Sequence, residues 1–423
     1  MKNGKEDMQF DTISVIGLGY IGLPTAAVIA SRRKKVIGID VSQNVVDTVN
    51  EGKIHIVEPG LDVVVHAAMK GEFLRATTTP EPADAFLIAV PTPFKDKHEP
   101  DLSYIKSASK AIAPVLKKNN LVVLESTSPI GATEQMSAWL AEARPDLTFP
   151  HTHGEDSDIR IAHCPERVLP GHVIRELVEN DRVVGGMTSA CSRAAVELYQ
   201  IFVEGDCIAT DVRTAEMCKL TENSFRDLNI AFANELSIIC DKLGINVWEL
   251  ILLANRHPRV NILHPGPGVG GHCIAVDPWF IVNKTPQEAK LIRCAREVND
   301  SKPNFVVDTI MAHAQKLKTE QIVCLGAAFK SDIDDLRESP ALKIILKLAQ
   351  MGANVKLVEP NIDTLPELLD AAGCQLVTLK TVLEESKEQV VSVLVAHKEF
   401  KASEELRRVK ILDFCGALVG EAH

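Results

Sequence analysis

The 423-residue chain reads as an α/β protein: two Rossmann-like doubly wound domains joined by a central helical domain with a long helix. Three observations predict this. Short β-branched runs alternate with helix-like segments through the first half, the pattern of a parallel sheet with crossover helices. From about 213 to 255 the periodicity becomes helical, with few turn signals. From Gln321 the alternation resumes. At about 100–200 residues per domain, the length predicts two to three domains. The composition shifts divide them as 1–205, 206–305 and 306–423.

In order, TISVIGLG (12–19), KKVIGID (34–40), AFLIAV (85–90) and NLVVLES (120–126) read as strands of the first sheet. The helical stretch RTAEMCKLTENSFRDLNIAFANELSIICDKL follows, then a Gly/Pro-rich loop, HPGPGVGGHCIAVDP (264–278), and a helix through about Asn299. QIVCLG, NVKLVEP (354–360) and VVSVLVA (390–396) are strands of the second sheet, with a helix after Ser339-Pro340. No solenoid repeat occurs.

Composition excludes several classes. With 46% hydrophobic and 24% charged residues, the chain is neither disordered nor a coiled-coil rod. A net charge of −11, from 46 basic and 57 acidic residues, argues against a nucleic-acid partner. Residues 12–31 carry no charge over a bilayer-spanning length. Gly17, Gly19, Gly22 and Pro24 within that run instead fit a buried strand entering a buried helix, so no membrane association is expected. Ten scattered cysteines with no CxxC read as reduced thiols of a cytoplasmic protein, and Cys164, Cys218, Cys294 and Cys324 as core residues. His151 and His153 lack a Cys or acidic partner, so no metal is expected.

Four places carry chemistry. Gly17-Leu18-Gly19-Tyr20-Ile21-Gly22 follows a strand and opens a helix, and Asp40 ends the next strand about 20 residues on. This is a dinucleotide cradle: the glycines allow the turn, the diphosphate approach and the helix–strand contact, and the acid meets the adenine ribose. An acid at 40 favours NAD over NADP. Beyond two later strand ends, Thr92, Thr127 and Thr133 are candidates for contact with the nicotinamide half or a water. On the central helix, Lys219, Asn223 and Arg226 lie within about 60° of one another. They form either a solvated stripe or a wall of a cleft where a lysine stabilises an oxyanion. Cys273 sits among Gly266, Gly268, Gly270 and Gly271, a backbone expected to be unhindered and able to activate a thiol. Asp277-Pro278 reads equally as a helix start and as a reactive acid. Lys330 and Arg337 flank an acidic loop, as an anion site or as a salt-bridge cluster. Arg167, His257 and Arg259 are further loop cations.

GLGYIGLP, VPTP, STSPIG, CPER, AEMCKLTENS, PGPGVGGHC and AFKSDIDDLRESP occur together in the order found in the UDP-glucose/GDP-mannose dehydrogenase family, which the chain resembles over nearly its whole length. The run NRHPRVNILHPGPGVGGHCIAVDPWFIV looks most like the branch acting on UDP-N-acetyl-D-mannosamine. Val276 stands where UDP-glucose members usually carry a Lys. The resemblance implies an NAD-binding domain (1–205), a central helical domain for catalysis and homodimerisation (206–305), and a UDP-sugar-binding domain (306–423). It implies four-electron oxidation of a UDP-N-acetylaminosugar at C6 through a Cys273 thiohemiacetal and thioester. It assigns Cys273 as nucleophile, Lys219 and Asn223 as acid/base and oxyanion partners, and Asp277 and Thr127 to the hydrolytic water. Gly17, Gly19, Tyr20, Ile21, Gly22, Asp40, Thr92, Thr133 and Arg337 fall to NAD. Arg167, Val168, Lys219, Asn223, Arg226, His257, Arg259, Gly270 and Lys330, with Glu166 alongside, fall to the sugar nucleotide. The alternatives are the same chemistry on UDP-N-acetylglucosamine or UDP-glucose, or an NAD-binding regulatory protein without chemistry.

Overall fold

The computed structural model describes residues 9–95, 98–169, 171–271, 273–385 and 388–419. It divides into two compact units at Glu222/Asn223.

The first unit is built on β1 (Thr12–Ile16), β2 (Lys35–Ile39), β3 (Leu74–Thr77), β4 (Ala85–Ile88), β5 (Leu121–Leu124), β6 (Arg160–His163), β7 (Arg182–Gly186) and β8 (Cys207–Asp211). They form one eight-stranded sheet in the order β3-β2-β1-β4-β5-β6-β7-β8. The first six run parallel, β7 is antiparallel to β6, and β8 is parallel to β7. The direction of strand order reverses between β1 and β4, where ligands bind in sheets of this kind. Alternate strand residues feed two cores. Ala85 and Leu87 pack with the helices Gly22–Ser31, Leu61–Lys70 and Ser189–Tyr199, whereas Phe86 and Ile88 pack with Ser103–Ile112 and Ala132–Ala143. Strands covered on both faces read as unbroken apolar runs, which is why β1, β4 and β5 stand out in the sequence. The charge-free run 12–31 is β1 and the buried helix Gly22–Ser31. Among the described residues, no helix is long and apolar enough to cross a membrane.

The second unit contains the later part of a 32-residue helix, Val212–Leu243, then Val247–Ala254, Asp277–Lys284 and Lys290–Leu317. The helical stretch expected over 213–255 is thus two helices. Gly244, at φ +69°, stops the first, and the Asn246 side chain accepts the Trp248 and Glu249 N–H groups to start the second. Strands β9 (Gln321–Leu325), β10 (Asn354–Val358), β11 (Gln375–Leu376), β12 (Val390–Val393) and β13 (Ile411–Asp413) form a parallel sheet ordered β11-β10-β9-β12-β13.

Two of the expected boundaries meet elements that run past them. The division at 205/206 cuts off β8, an edge strand whose pattern is mostly exposed and therefore shows no apolar run. The division at 305/306 falls inside Lys290–Leu317, which continues through Pro303 and delivers Val306, Val307, Ile310 and Ala314 to the core beside β9.

Candidate active site

The three glycines after β1 have three different physical reasons. Gly17 has φ +94°, donates its N–H to Ile39 O at 2.7 Å, and would bring a Cβ within 2.5 Å of Ala89 O. A Cβ on Gly22 would fall 1.7 Å from Gly17 O. Gly19 has nothing among the described residues within 4 Å of that position, the open approach a diphosphate needs. Ile21 precedes the helix Gly22–Ser31 without a capping side-chain oxygen, and its first turn holds no acid. The amide end of the helix is therefore disposed to take an anion. Asp40 orders the loop: Oδ2 accepts Leu18 N–H at 3.0 Å and Oδ1 accepts Ser42 N–H at 2.9 Å. Next to it the uncharged Val41 is 98% exposed. Tyr20 is exposed and Ile21 half-buried. In the loop after β4, the sheltered Thr92 Oγ1 has no hydrogen-bond partner among the described residues. The Ser126 hydroxyl donates to Val90 O at 2.6 Å and ties the half-buried Thr127 to that loop. These features fit NAD on Gly17, Gly19, Gly22, Asp40 and Thr92.

Thr133 has another task. It is fully buried, and its N–H and hydroxyl both donate to Glu216 Oε1, at 2.8 and 2.7 Å. Glu216 Oε2 accepts Gly131 N–H at 2.7 Å. The carboxylate thus occupies the N-terminus of Ala132–Ala143, one turn before Lys219 on its own helix.

Glu166 is likewise committed. Its carboxylate accepts Arg167 N–H at 2.7 Å and meets buried Arg182 at 2.6 Å. The Arg182 guanidinium lies 5.7 Å from the Tyr199 ring, and Tyr199 donates its hydroxyl to Glu125 Oε1 at 2.6 Å. Half-buried Arg167 pairs with Glu222 at 2.7 Å, and Val168 packs against the core. Burial, opposed by the Tyr199 hydrogen bond, pushes Glu125 up to about 7, and burial pushes the Cys164 thiol up to about 12. From its ordinary 4.5 to about 7, the folded chain holds a proton on Glu125 that the unfolded chain has released. Stability from this group is therefore greatest below pH 4.5 and is lost as pH rises through 7. Glu125→Gln keeps the shape and removes the titration. Urea unfolding at about pH 5 and about pH 8 should show the variant gaining about 3 kcal/mol on the wild type between the two. Parallel stability curves would dismiss the effect.

In the second unit Cys273 is exposed. Its carbonyl accepts Val276 N–H at 3.0 Å and Asp277 N–H at 2.8 Å, so the loop runs straight into the helix Asp277–Lys284. Asp277 is 3% exposed and accepts the Asn223 Nδ2–H at 2.5 Å. It therefore both opens a helix and presents a buried carboxylate fixed by Asn223. Asn223 and Lys219 are half-buried, and Arg226, His257 and Arg259 are exposed. The glycines of the loop are not unhindered, contrary to the expectation. A Cβ at Gly270 would lie 2.7 Å from both Glu338 O and Pro340 Cδ, and one at Gly268 would lie 2.9 Å from Pro340 Cβ. They are glycines because the loop lies directly against the segment 338–340. Cys294, expected in the core, is exposed on Lys290–Leu317.

The turn after β9 repeats the turn after β1. Gly326 has φ +93°, its N–H reaches Val358 O at 2.8 Å, and Glu359, at the end of β10, accepts the Ala327 and Ala328 N–H groups at 2.7 and 3.1 Å. Here the acid is saturated: Asn361 and His397 also donate to it. Those hydrogen bonds hold Glu359 below the usual carboxylate range although burial opposes them. His397 Nδ1 accepts Asp332 N–H at 2.9 Å, pinning the loop that carries exposed Lys330. Arg337 is exposed and pairs with Asp335 at 2.7 Å. Sequence reasoning missed Glu216, Glu125 and this second acid. The last was readable, since an acid ending the second strand of each α/β half is one signal used twice.

A dinucleotide cradle in one α/β unit, with an exposed cysteine and a second α/β turn in the other, defines a nucleotide-dependent oxidoreductase. Family models agree along the chain. Residues 11–203 match the NAD binding domain, 213–301 the central domain and 323–418 the UDP binding domain of the UDP-glucose/GDP-mannose dehydrogenase family. The chain belongs to that family and is an NAD-dependent nucleotide-sugar dehydrogenase. It is 66% identical to a UDP-N-acetyl-D-mannosamine dehydrogenase of Campylobacter jejuni, over 96% of this chain and 100% of that one. It is 64% identical to an NDP-N-acetyl-D-galactosaminuronic acid dehydrogenase of Ralstonia nicotianae, over 93% of each. A UDP-D-ManNAc dehydrogenase structure from Pyrococcus horikoshii matches with a TM-score of 0.86 at 35% identity, covering 97% of this chain and 96% of that one.

Proposed function

We propose that this enzyme oxidises C6 of UDP-N-acetyl-D-mannosamine to the uronate, using Cys273 as a covalent tether. The observation that carries the reading is the exposed Cys273 four residues before a buried Asp277 that Asn223 holds by its amide. Bound NAD+ supplies the hydride acceptor, two molecules in succession. Loss of a hydride and the hydroxyl proton converts the C6 alcohol to an aldehyde. The Cys273 thiolate adds to it, forming a C–S bond and an oxyanion that Lys219 offsets. Loss of a second hydride leaves a thioester. Water, oriented by Asp277 and Thr127, then breaks the C–S bond, releasing the carboxylate and restoring the thiol. A tether is needed because an untethered aldehyde would escape between the two oxidations.

Arg167, Val168, Arg226, His257, Arg259, Gly270 and Lys330 are assigned to the sugar nucleotide, and Glu166 to shaping its loop through the Arg182 pair. Tyr20, Ile21 and Arg337 are assigned to NAD beside the cradle. The mannosamine epimer is favoured by the similarity to the Campylobacter enzyme. The Ralstonia relative makes the galacto epimer the second reading. Phe225, Phe232, Ile239 and Leu243 leave an exposed apolar stripe along Val212–Leu243, which supports a homodimer through this helix. The enzyme is assigned to the cytoplasm, its product to bacterial surface polysaccharide.

A panel of UDP-N-acetyl-D-mannosamine, its galacto and gluco epimers and UDP-glucose, assayed for NADH formed per sugar consumed, tests the reading. The manno epimer should have the highest kcat/KM and yield two NADH. A single NADH per sugar would remove the thioester from the scheme, and a preference for another epimer would reassign the substrate.

A further inference from the structure

We propose that Asn234 is a positioning residue that sets the cysteine loop through one backbone N–H. The proposal rests on the reading that Cys273 is the nucleophile. Asn234, on Val212–Leu243, is fully buried, and its Oδ1 accepts the Gly266 N–H at 2.8 Å. Its Nδ2 donates to Asn299 Oδ1 at 2.8 Å. Asn299 Nδ2 in turn donates to Asp227, at 2.8 Å to Oδ1 and 3.0 Å to the carbonyl, and Asp227 Oδ1 meets Arg296 Nη1 at 2.6 Å. Asp227, Asn299 and Arg296 are each at most 1% exposed, and Arg296 also pairs with Asp300.

The direction of this relay is forced. The Asp227 carboxylate, clamped by Arg296, only accepts, so Asn299 must turn its NH2 toward it. That leaves the Asn299 oxygen facing Asn234, which must answer with its own NH2. The Asn234 oxygen then has one orientation left, toward the loop. A buried ion pair gains little net stability over apolar packing, so its value here lies in specifying orientation. From Gly266 the loop runs past Gly268, whose Cβ position is 3.1 Å from Pro303 Cγ, and Gly270, hard against Glu338 O, to Cys273. Contact fixes how closely those two glycines approach their neighbours. The Gly266 hydrogen bond adds a directional anchor between the loop and the helix that carries Asn223.

The test compares Asn234→Ala with Asn234→Asp. Alanine leaves the Gly266 N–H and the Asn299 oxygen unanswered. The thiol should then meet the aldehyde off register, with kcat falling on the order of tenfold to a hundredfold and KM for NAD unchanged. NADH per sugar should fall from two toward one, with free aldehyde trapped by added hydrazine. Aspartate, held protonated by its burial, still accepts from the Gly266 N–H and still donates to Asn299 Oδ1, and should restore most of the ratio. A network that only stabilised the fold would lower the melting temperature in both variants and leave the ratio at two, overturning the proposal. If Asn234→Ala does not fold, hydrogen exchange of the wild-type Gly266 amide decides: it should be protected, and free exchange overturns the proposal. Alkylation of wild-type Cys273 that left uronate formation intact would instead defeat the underlying reading.

Discussion

Replacing Cys273 by alanine should stop uronate formation while leaving NAD binding intact. The exposed thiol is assigned to the sugar and not to the dinucleotide, whose cradle is Gly17, Gly19, Gly22 and Asp40. Removing the nucleophile of a covalent route costs on the order of a thousandfold or more in kcat, because water must then do alone what the thiol and the ordered carboxylate do together. A residual first oxidation would appear as NADH without uronate, together with free aldehyde. Titration of NAD by fluorescence should give the wild-type affinity. Uronate formed at the wild-type rate by Cys273→Ala would end the covalent scheme.

Arg182→Met should produce the largest loss of stability. Arg182 is 2% exposed, pairs with Glu166 at 2.6 Å, donates to Leu177 O at 3.1 Å and lies against Tyr199. Methionine fills the volume but leaves the Glu166 carboxylate buried near Glu125 without its counter-charge. Breaking such a pair from one side costs about 3–5 kcal/mol. Urea unfolding should register that loss. Adding Glu166→Gln, which removes the stranded charge, should recover part of it, while additive losses in the double variant would contradict the assignment.

What the sequence made legible follows from how each element is covered. The inner strands β1, β4 and β5 were plain because both faces are buried and every residue but Thr12 and Ser14 is apolar. β8 was not, since an edge strand is defined by backbone pairing that leaves no hydrophobic pattern. Gly17, Gly19, Gly22 and Asp40 were readable one residue at a time because each answers a local backbone demand. The loop glycines at 268 and 270 were misread as freedom because the surfaces they touch, Pro303, Glu338 and Pro340, lie far along the chain. Glu216 and Asn234 look like ordinary helix residues. Their roles are set by partners 83 and 32 positions away, a distance over which spacing carries no information.

The single helix Lys290–Leu317 faces two ways along its length. Its early residues Arg296, Asn299 and Lys302 answer groups on Val212–Leu243, and its later ones fill the core against β9. Anyone building chimeras between relatives to exchange sugar preference therefore has no seam near residue 305. The stretch from Asn223 onward should melt and recombine as one cooperative block, and grafts are best drawn ahead of it.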